Sequence, residues 1–241
     1  MRDLDLSLVK DGETLDDLQL KDICIIQKRE GFRFGIDAVL LANFANVKKK
    51  HKVMDLCTGT GIVPFIIKGK KEPEKIVEMA NRSIKINGFN DTMEFLHGDL
   101  KDKELLKSIG RFDVVTVNPP YKLEKSGIVN PNDKYAIARH EVMCNLDNVI
   151  EACRIVLKDN GRLYMVHRPE RLADIFCIMR KYKIEPKRVQ MVHPNTKKPA
   201  NILLVEGQRD GGAYLKWEPP IYVYNDDGSF SKEINEIYGR I

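Results

Sequence analysis

With 241 residues, 43% of them hydrophobic, the chain can build one α/β domain with decoration, and it is too short for an assembly of several large domains. The net charge of +5 is a mild basic excess that tilts only slightly toward a polyanionic partner. No apolar run reaches membrane-spanning length and the first residues carry no signal-peptide pattern, so a cytoplasmic location without a membrane is expected.

Residues 1–31 read as a small amino-terminal extension. Leu18-Gln19-Leu20 and Ile23-Cys24-Ile25-Ile26 carry the pattern of two short strands, paired as a hairpin. In Phe32-Arg33-Phe34-Gly35-Ile36-Asp37, Gly35 breaks the strand and Asp37 is placed to cap an amphipathic helix that runs on to Phe44. By residue type alone that plain reading outweighs one in which Arg33, Phe34 and Asp37 edge a ligand pocket.

Val53-Met54-Asp55-Leu56 reads as a strand, Cys57-Thr58-Gly59-Thr60-Gly61 as a turn, and the apolar run after it as a helix. Gly59 and Gly61 allow close approach of backbone to a ligand. The third glycine of a dinucleotide fingerprint is missing. The acid beside the turn disfavours a pyrophosphate and suits a cationic amine. Residues 72–88 read as one helix, with Pro73 near its first turn and Asn87-Gly88 at its end. No strand is legible between these helices, although a βαβαβ unit requires one.

Met93 to Leu100 reads as a strand with Gly98-Asp99 at its end, and 102–109 as a helix. Phe112 to Val117 is a β-rich apolar run that stops at Asn118-Pro119-Pro120-Tyr121. Both prolines lack an N–H and hold φ fixed, so the turn is rigid and ends the ladder. The Asn118 amide oxygen and the Pro119 carbonyl can each accept a hydrogen from one planar NH2 group, and the Tyr121 ring can stack on the base that carries it.

Residues 122–139 are too long and polar for a tight connection and read as a substrate loop holding Lys122 and Lys125. Arg139-His140-Glu141 heads a helix that reaches about Leu157; a single His and a single Glu make a poor metal site. Gly161 to Arg168 is a strand and 171–182 a helix. Lys187 to His193 and Asn201 to Gly207 are two strands joined by a short loop carrying Lys197 and Lys198, hence antiparallel. Residues 208–241 read as a surface tail. The five cysteines, Cys24, Cys57, Cys144, Cys153 and Cys177, show no paired spacing and read as small apolar residues in a reducing compartment, with no metal expected.

Asp55-Leu-Cys-Thr-Gly59-Thr-Gly61, His97-Gly98-Asp99 and Asn118-Pro-Pro-Tyr121 occur in this order, ahead of an antiparallel closing pair. Together with the Phe32 to Asp37, Ile137 to Glu141 and Val166 to Leu172 strings, they resemble the bacterial tRNA1(Val) adenine-N6 methyltransferases. The resemblance implies one Rossmann-like class I methyltransferase domain over 1–241, a mostly parallel sheet with one antiparallel closing strand, and helices on both faces. It implies S-adenosylmethionine as cofactor, S-adenosylhomocysteine as product, and no metal. Arg33, Phe34, Asp37, Asp55, Cys57, Thr58, Gly59, Gly61 and Asn118 would line the cofactor. Asp99 would take the adenine amino group, with Leu100 beside the ring. The ribose-binding acid of relatives is not legible here, and Glu72 is the nearest candidate. Asn118, Pro119, Pro120 and Tyr121 would hold the acceptor. Lys122, Lys125, Arg139, Lys197 and Lys198 would contact tRNA, with the protein acting as a monomer. The motif serves any planar NH2, so a protein glutamine-amide methyltransferase is the alternative enzyme. A catalytically inactive RNA-binding protein of the same fold is the non-enzymatic alternative.

Overall fold

The computed structural model describes residues 4–18, 20, 22–29, 35–59, 61–71, 75–78, 82–119 and 145–241. The expected site residues Arg33, Phe34, Glu72, Pro120, Tyr121, Lys122, Lys125 and Arg139 lie outside them.

An amino-terminal hairpin pairs β1 (Glu13–Asp17) with β2 (Cys24–Lys28), antiparallel. The first strand precedes the Leu18–Leu20 position expected for it. α1 (Ile36–Phe44) follows. β3 (Lys52–Leu56), α2 (Ile62–Lys71), β4 (Lys75–Glu78), α3 (Arg82–Asn87) and β5 (Met93–Phe95) come next. Then come α4 (Lys103–Ser108), β6 (Phe112–Val117), α5 (Leu146–Val156), β7 (Leu157–His167) and α6 (Leu172–Lys181). The chain closes with β8 (Ile184–His193), β9 (Ile202–Arg209), β10 (Lys216–Trp217), β11 (Ile221–Tyr222) and α7 (Lys232–Ile237).

Among the described residues the main sheet has nine strands in the order β5-β4-β3-β6-β7-β9-β8-β10, with β11 also on β8. Among the described residues every pairing in this sheet is parallel except those of β9, which runs antiparallel to both β7 and β8. The reversed strand therefore lies between β7 and β8 rather than closing the edge.

Alternation along the central strands decides the layers. Val53, Val114, Tyr164 and Val166 join one buried cluster with α1, α2 and the hairpin. Met54, Val115, Val117, Leu163 and Met165 join another with α5 and α6. Successive side chains of a strand point to opposite faces, and apolar residues on both faces demand helices on both.

The missing second strand is present. Lys75-Ile76-Val77-Glu78 forms β4, paired with β3 on one side and β5 on the other. The expected helix over 72–88 shrinks to α3 (Arg82–Asn87). Pro73 and the flanking acids imitate a helix start, but two neighbouring ladders hold a four-residue β-branched segment that has little preference of its own. α1 also differs from expectation. Its N-cap is Gly35, not Asp37, and no side chain caps it. Ala38 to Ala42 and Phe44 are buried, so it is a core helix rather than an amphipathic surface one. The segment 208–241 is tied in more firmly than a surface tail: β10 and β11 pair with β8, and Ile221, Val223 and Ile234 are buried.

Asn87 fastens the hairpin to the main body. Its amide oxygen accepts from the Cys24 N–H at 2.9 Å and its NH2 donates to the Cys24 carbonyl at 2.6 Å. One turn earlier, the Ser83 hydroxyl accepts from the Ile26 N–H at 3.1 Å. A buried side chain thus does what a third strand would. Asn87→Ala leaves a buried donor and acceptor unsatisfied and should lower unfolding stability in urea by about 2–6 kcal/mol, at about 1–3 for each group. A loss below half a kcal/mol would show that the hairpin docks without this contact.

Candidate active site

β3, β4, β5, β6 and β7 all end on the same edge of the sheet. Connections from β3 lead outward through β4 and β5, whereas β6 and β7 build on the other side, so the chain reverses its direction of progress between β3 and β6. Ligands of open α/β sheets bind at the carboxyl ends of strands flanking such a switch point. Asp55 and Asn118 stand at those two ends.

Asp55 pairs in register with Thr116 of β6. It is only 2% exposed. The Thr116 hydroxyl donates to its carboxylate in a short hydrogen bond, and the Thr58 side chain supplies another. Burial dominates and pushes the carboxyl up to about 7, against the two hydrogen bonds that favour its charged form. The turn beyond it is left-handed at Cys57 and at Gly59, with φ of 58° and 56°. Gly59 is exposed, and a Cβ there would meet nothing within 4 Å. Gly61 is buried; its N–H donates to the Thr58 carbonyl at 2.9 Å and its carbonyl accepts from Phe65 at the start of α2. A desolvated carboxyl with no positive neighbour among the described residues, behind an open backbone turn, fits a ligand with an ammonium group and a larger flat portion.

Asn118 is half-buried, and the Pro119 that follows it is buried. The Asn118 NH2 donates to the Asp37 carboxylate at 3.4 Å, which brings the first turn of α1 to the end of β6. Asp99 sits just after β5 as an exposed turn residue; its carboxylate accepts from the Lys101 N–H at 2.9 Å. Leu100 packs on the second core cluster. Asp37, Asp55, Cys57, Thr58, Gly59, Gly61, Asp99, Leu100 and Asn118 thus all lie on or beside one edge of the sheet.

Lys197 and Lys198 lie in the loop after β8, which runs parallel to β7, so this loop leaves the same edge. Both are exposed, and Lys197 is 3.6 Å from Asp226. Glu78, at the carboxyl end of β4 opposite Phe95, was missed. It ends the strand that the sequence hid, which makes it a second candidate for the ribose-binding acid beside Glu72. The signal was Ile76-Val77 followed by an acid, hidden by the helix-like flanks. His167 ends β7 fully buried, and its Nδ1 accepts from the Arg168 N–H at 2.8 Å. Burial lowers its pKa to about 4, so it is neutral at physiological pH.

Comparison with known proteins gives the family and the fold. The methyltransferase small domain family matches residues 35–177. A Porphyromonas gingivalis protein named tRNA1(Val) (adenine(37)-N6)-methyltransferase is 27% identical over 206 residues, covering 79% of this chain and 80% of its own. An Aeromonas salmonicida protein of the same name is 24% identical, covering 88% and 90%. Among solved structures, a predicted O-methyltransferase from Agrobacterium tumefaciens superposes with a TM-score of 0.65 at 17% identity, covering 84% of this chain and 95% of its own. Pyrococcus horikoshii TYW2 in complex with MeSAdo gives 0.55 at 13% identity, covering 84% and 73%. These structures share the fold, and with the family match spanning more than half of the chain, the protein belongs to the methyltransferase small domain family.

Proposed function

We propose that the protein methylates the exocyclic N6 amine of an adenine in tRNA, with S-adenosylmethionine as donor. The substrate reading takes tRNA(Val), beside the anticodon, as the target. The observation that carries it is Asn118 at the end of β6, next to the strand whose end holds Asp55 and the open Gly59 turn. The names of the relatives support the choice of acceptor.

When bound, S-adenosylmethionine supplies an electrophilic methyl on a sulfonium. Asp55 would hold its ammonium group, the backbone at Cys57, Thr58, Gly59 and Gly61 would floor the adenosyl portion, Glu78 would take the ribose hydroxyls and Asp99 the adenine amino group. The acceptor N6 is a weak nucleophile because its lone pair is delocalised into the ring. Asn118 Oδ1 and the Pro119 carbonyl accept its two hydrogens, which favours the geometry with the lone pair outside the ring plane and stabilises positive charge developing on nitrogen. Transfer would break the S–CH3 bond as the N–CH3 bond forms, and the methylated amine, strongly acidic once cationic, would then release its extra proton to water, so the transfer step itself rests on positioning rather than on a general base. The adenine has to leave its stack to reach this turn, and Tyr121 gives it a new surface to stack on. The exposed Lys197 and Lys198, with Lys122, Lys125 and Arg139, contact phosphates. The protein works as a cytoplasmic monomer.

The test is mass spectrometry of tRNA nucleosides from cells with and without the gene. Loss of N6-methyladenosine from tRNA(Val) is expected. An unchanged tRNA profile accompanied by loss of a methylated glutamine would transfer the activity to a protein amide.

A further inference from the structure

Asn118 can act as an acceptor only if the correct end of its carboxamide faces the substrate, and the fold contains a device that sets this. Alternation along β6 sends Val114 and Thr116 toward the face where α1 and α2 pack, and Asn118 continues with the same parity. There its Nδ2 meets the Asp37 carboxylate at 3.4 Å. An ionised carboxylate accepts hydrogen bonds and cannot donate them. Only the NH2 end of Asn118 can face it, so the carbonyl end is turned away from Asp37. A carboxamide rotated by half a turn would instead present NH2 to an NH2 substrate, donor against donor.

A second feature points the same way. A Cβ on Gly35 would lie 2.6 Å from Asp37 Oδ1. Gly35 has φ of −97°, which any residue adopts, so its backbone does not require glycine. A side chain at position 35 would instead displace the Asp37 carboxylate, which occupies the space its Cβ would fill. Asp37 also sits in the first turn of α1, where an acid favours the helix dipole, and that role alone predicts a loss of stability and nothing more.

We propose that Asp37 is a positioning residue, seated by Gly35, that fixes which end of the Asn118 carboxamide is offered to the methyl acceptor. Its catalytic consequence rests on the adenine-N6 reading; the contact itself does not.

Two measurements test it. The first compares single-turnover methylation of tRNA by Asp37→Ala, Gly35→Ala, Asn118→Ala and the Asp37→Ala/Asn118→Ala double variant, each beside a titration with S-adenosylmethionine. Asp37→Ala and Gly35→Ala should each slow transfer at saturating cofactor by about 10- to 100-fold, the scale of a misplaced reacting group. The double variant should be no slower than Asn118→Ala, because Asp37 acts through that side chain. Additive losses, or a loss confined to cofactor affinity, would overturn the proposal. The second follows the Asn118 side-chain NH2 resonance by NMR in protein labelled at asparagine, identified by its disappearance in Asn118→Ala. It should move in both Asp37→Ala and Gly35→Ala; an unmoved resonance would overturn the proposal. If the wild-type protein fails to methylate tRNA, the adenine reading falls, while the resonance still decides on Asp37.

Discussion

Asn118→Ala should slow single-turnover methyl transfer by about 10²–10³-fold, the usual cost of removing one preorganised partner of developing charge. The loss should persist at saturating cofactor, because the amide acts on the acceptor amine. The neighbouring aromatic ring gives a graded control. Tyr121→Ala removes stacking worth about 1–3 kcal/mol, whereas Tyr121→Phe keeps the ring and should lose little. Stopped reactions over one turnover, run beside cofactor titration, separate the two roles. Equal damage in Tyr121→Phe and Tyr121→Ala would put the weight on the hydroxyl and remove the stacking role. Full activity in Asn118→Ala would end the mechanism given above.

Asp55 should govern both cofactor affinity and the pH dependence of the free protein. Its carboxyl is pushed up to about 7 in the fold from an ordinary 3.8, chiefly by burial. The folded state therefore binds more protons than the unfolded one between those values. The sign is opposite to that of a salt-bridged carboxylate: the stabilising contribution is complete below about pH 4 and is lost as pH rises through about 7. The full shift corresponds to about 4 kcal/mol. Free protein should lose melting temperature between pH 5 and pH 8, and Asp55→Asn should remove much of that loss. A ligand ammonium supplies the missing positive neighbour and favours the charged form. S-adenosylmethionine affinity should then rise about tenfold from pH 6 to pH 8, following the ionised fraction of a carboxyl titrating near 7. Asp55→Ala should weaken binding by about 10²-fold or more, the scale of a broken buried charge pair. Calorimetry at the two pH values reads all of this. A pH-independent affinity in the wild type, equal to that of Asp55→Ala, would take Asp55 out of the cofactor site.

Several elements could be read from the sequence alone because their cause is local. The run Phe112 to Val117 is rich in β-branched residues and stops just before a proline-stiffened turn, and it forms β6 at those limits. Asp55 to Gly61 needs residues that accept a tight left-handed turn, and the turn follows β3 as the spacing indicates. The short loop between β8 and β9 forces an antiparallel pair. Tertiary structure decided the rest. β4 exists because β3 and β5 offer it two ladders, and four residues with helix-like flanks cannot declare a strand unaided. Glu78 at its end is a candidate for the ribose-binding acid that the sequence reading had not offered. The placement of β9 between β7 and β8 depends on ladders formed with strands distant in sequence. Asn87 looks like a helix terminus until the hairpin is seen bonded to it. Asp37 looks like a cap until β6 brings Asn118 within 3.4 Å, across 81 positions of chain. Strand and turn preferences act over a few neighbouring residues, whereas the partner of a buried polar group is fixed only when packing brings distant segments together.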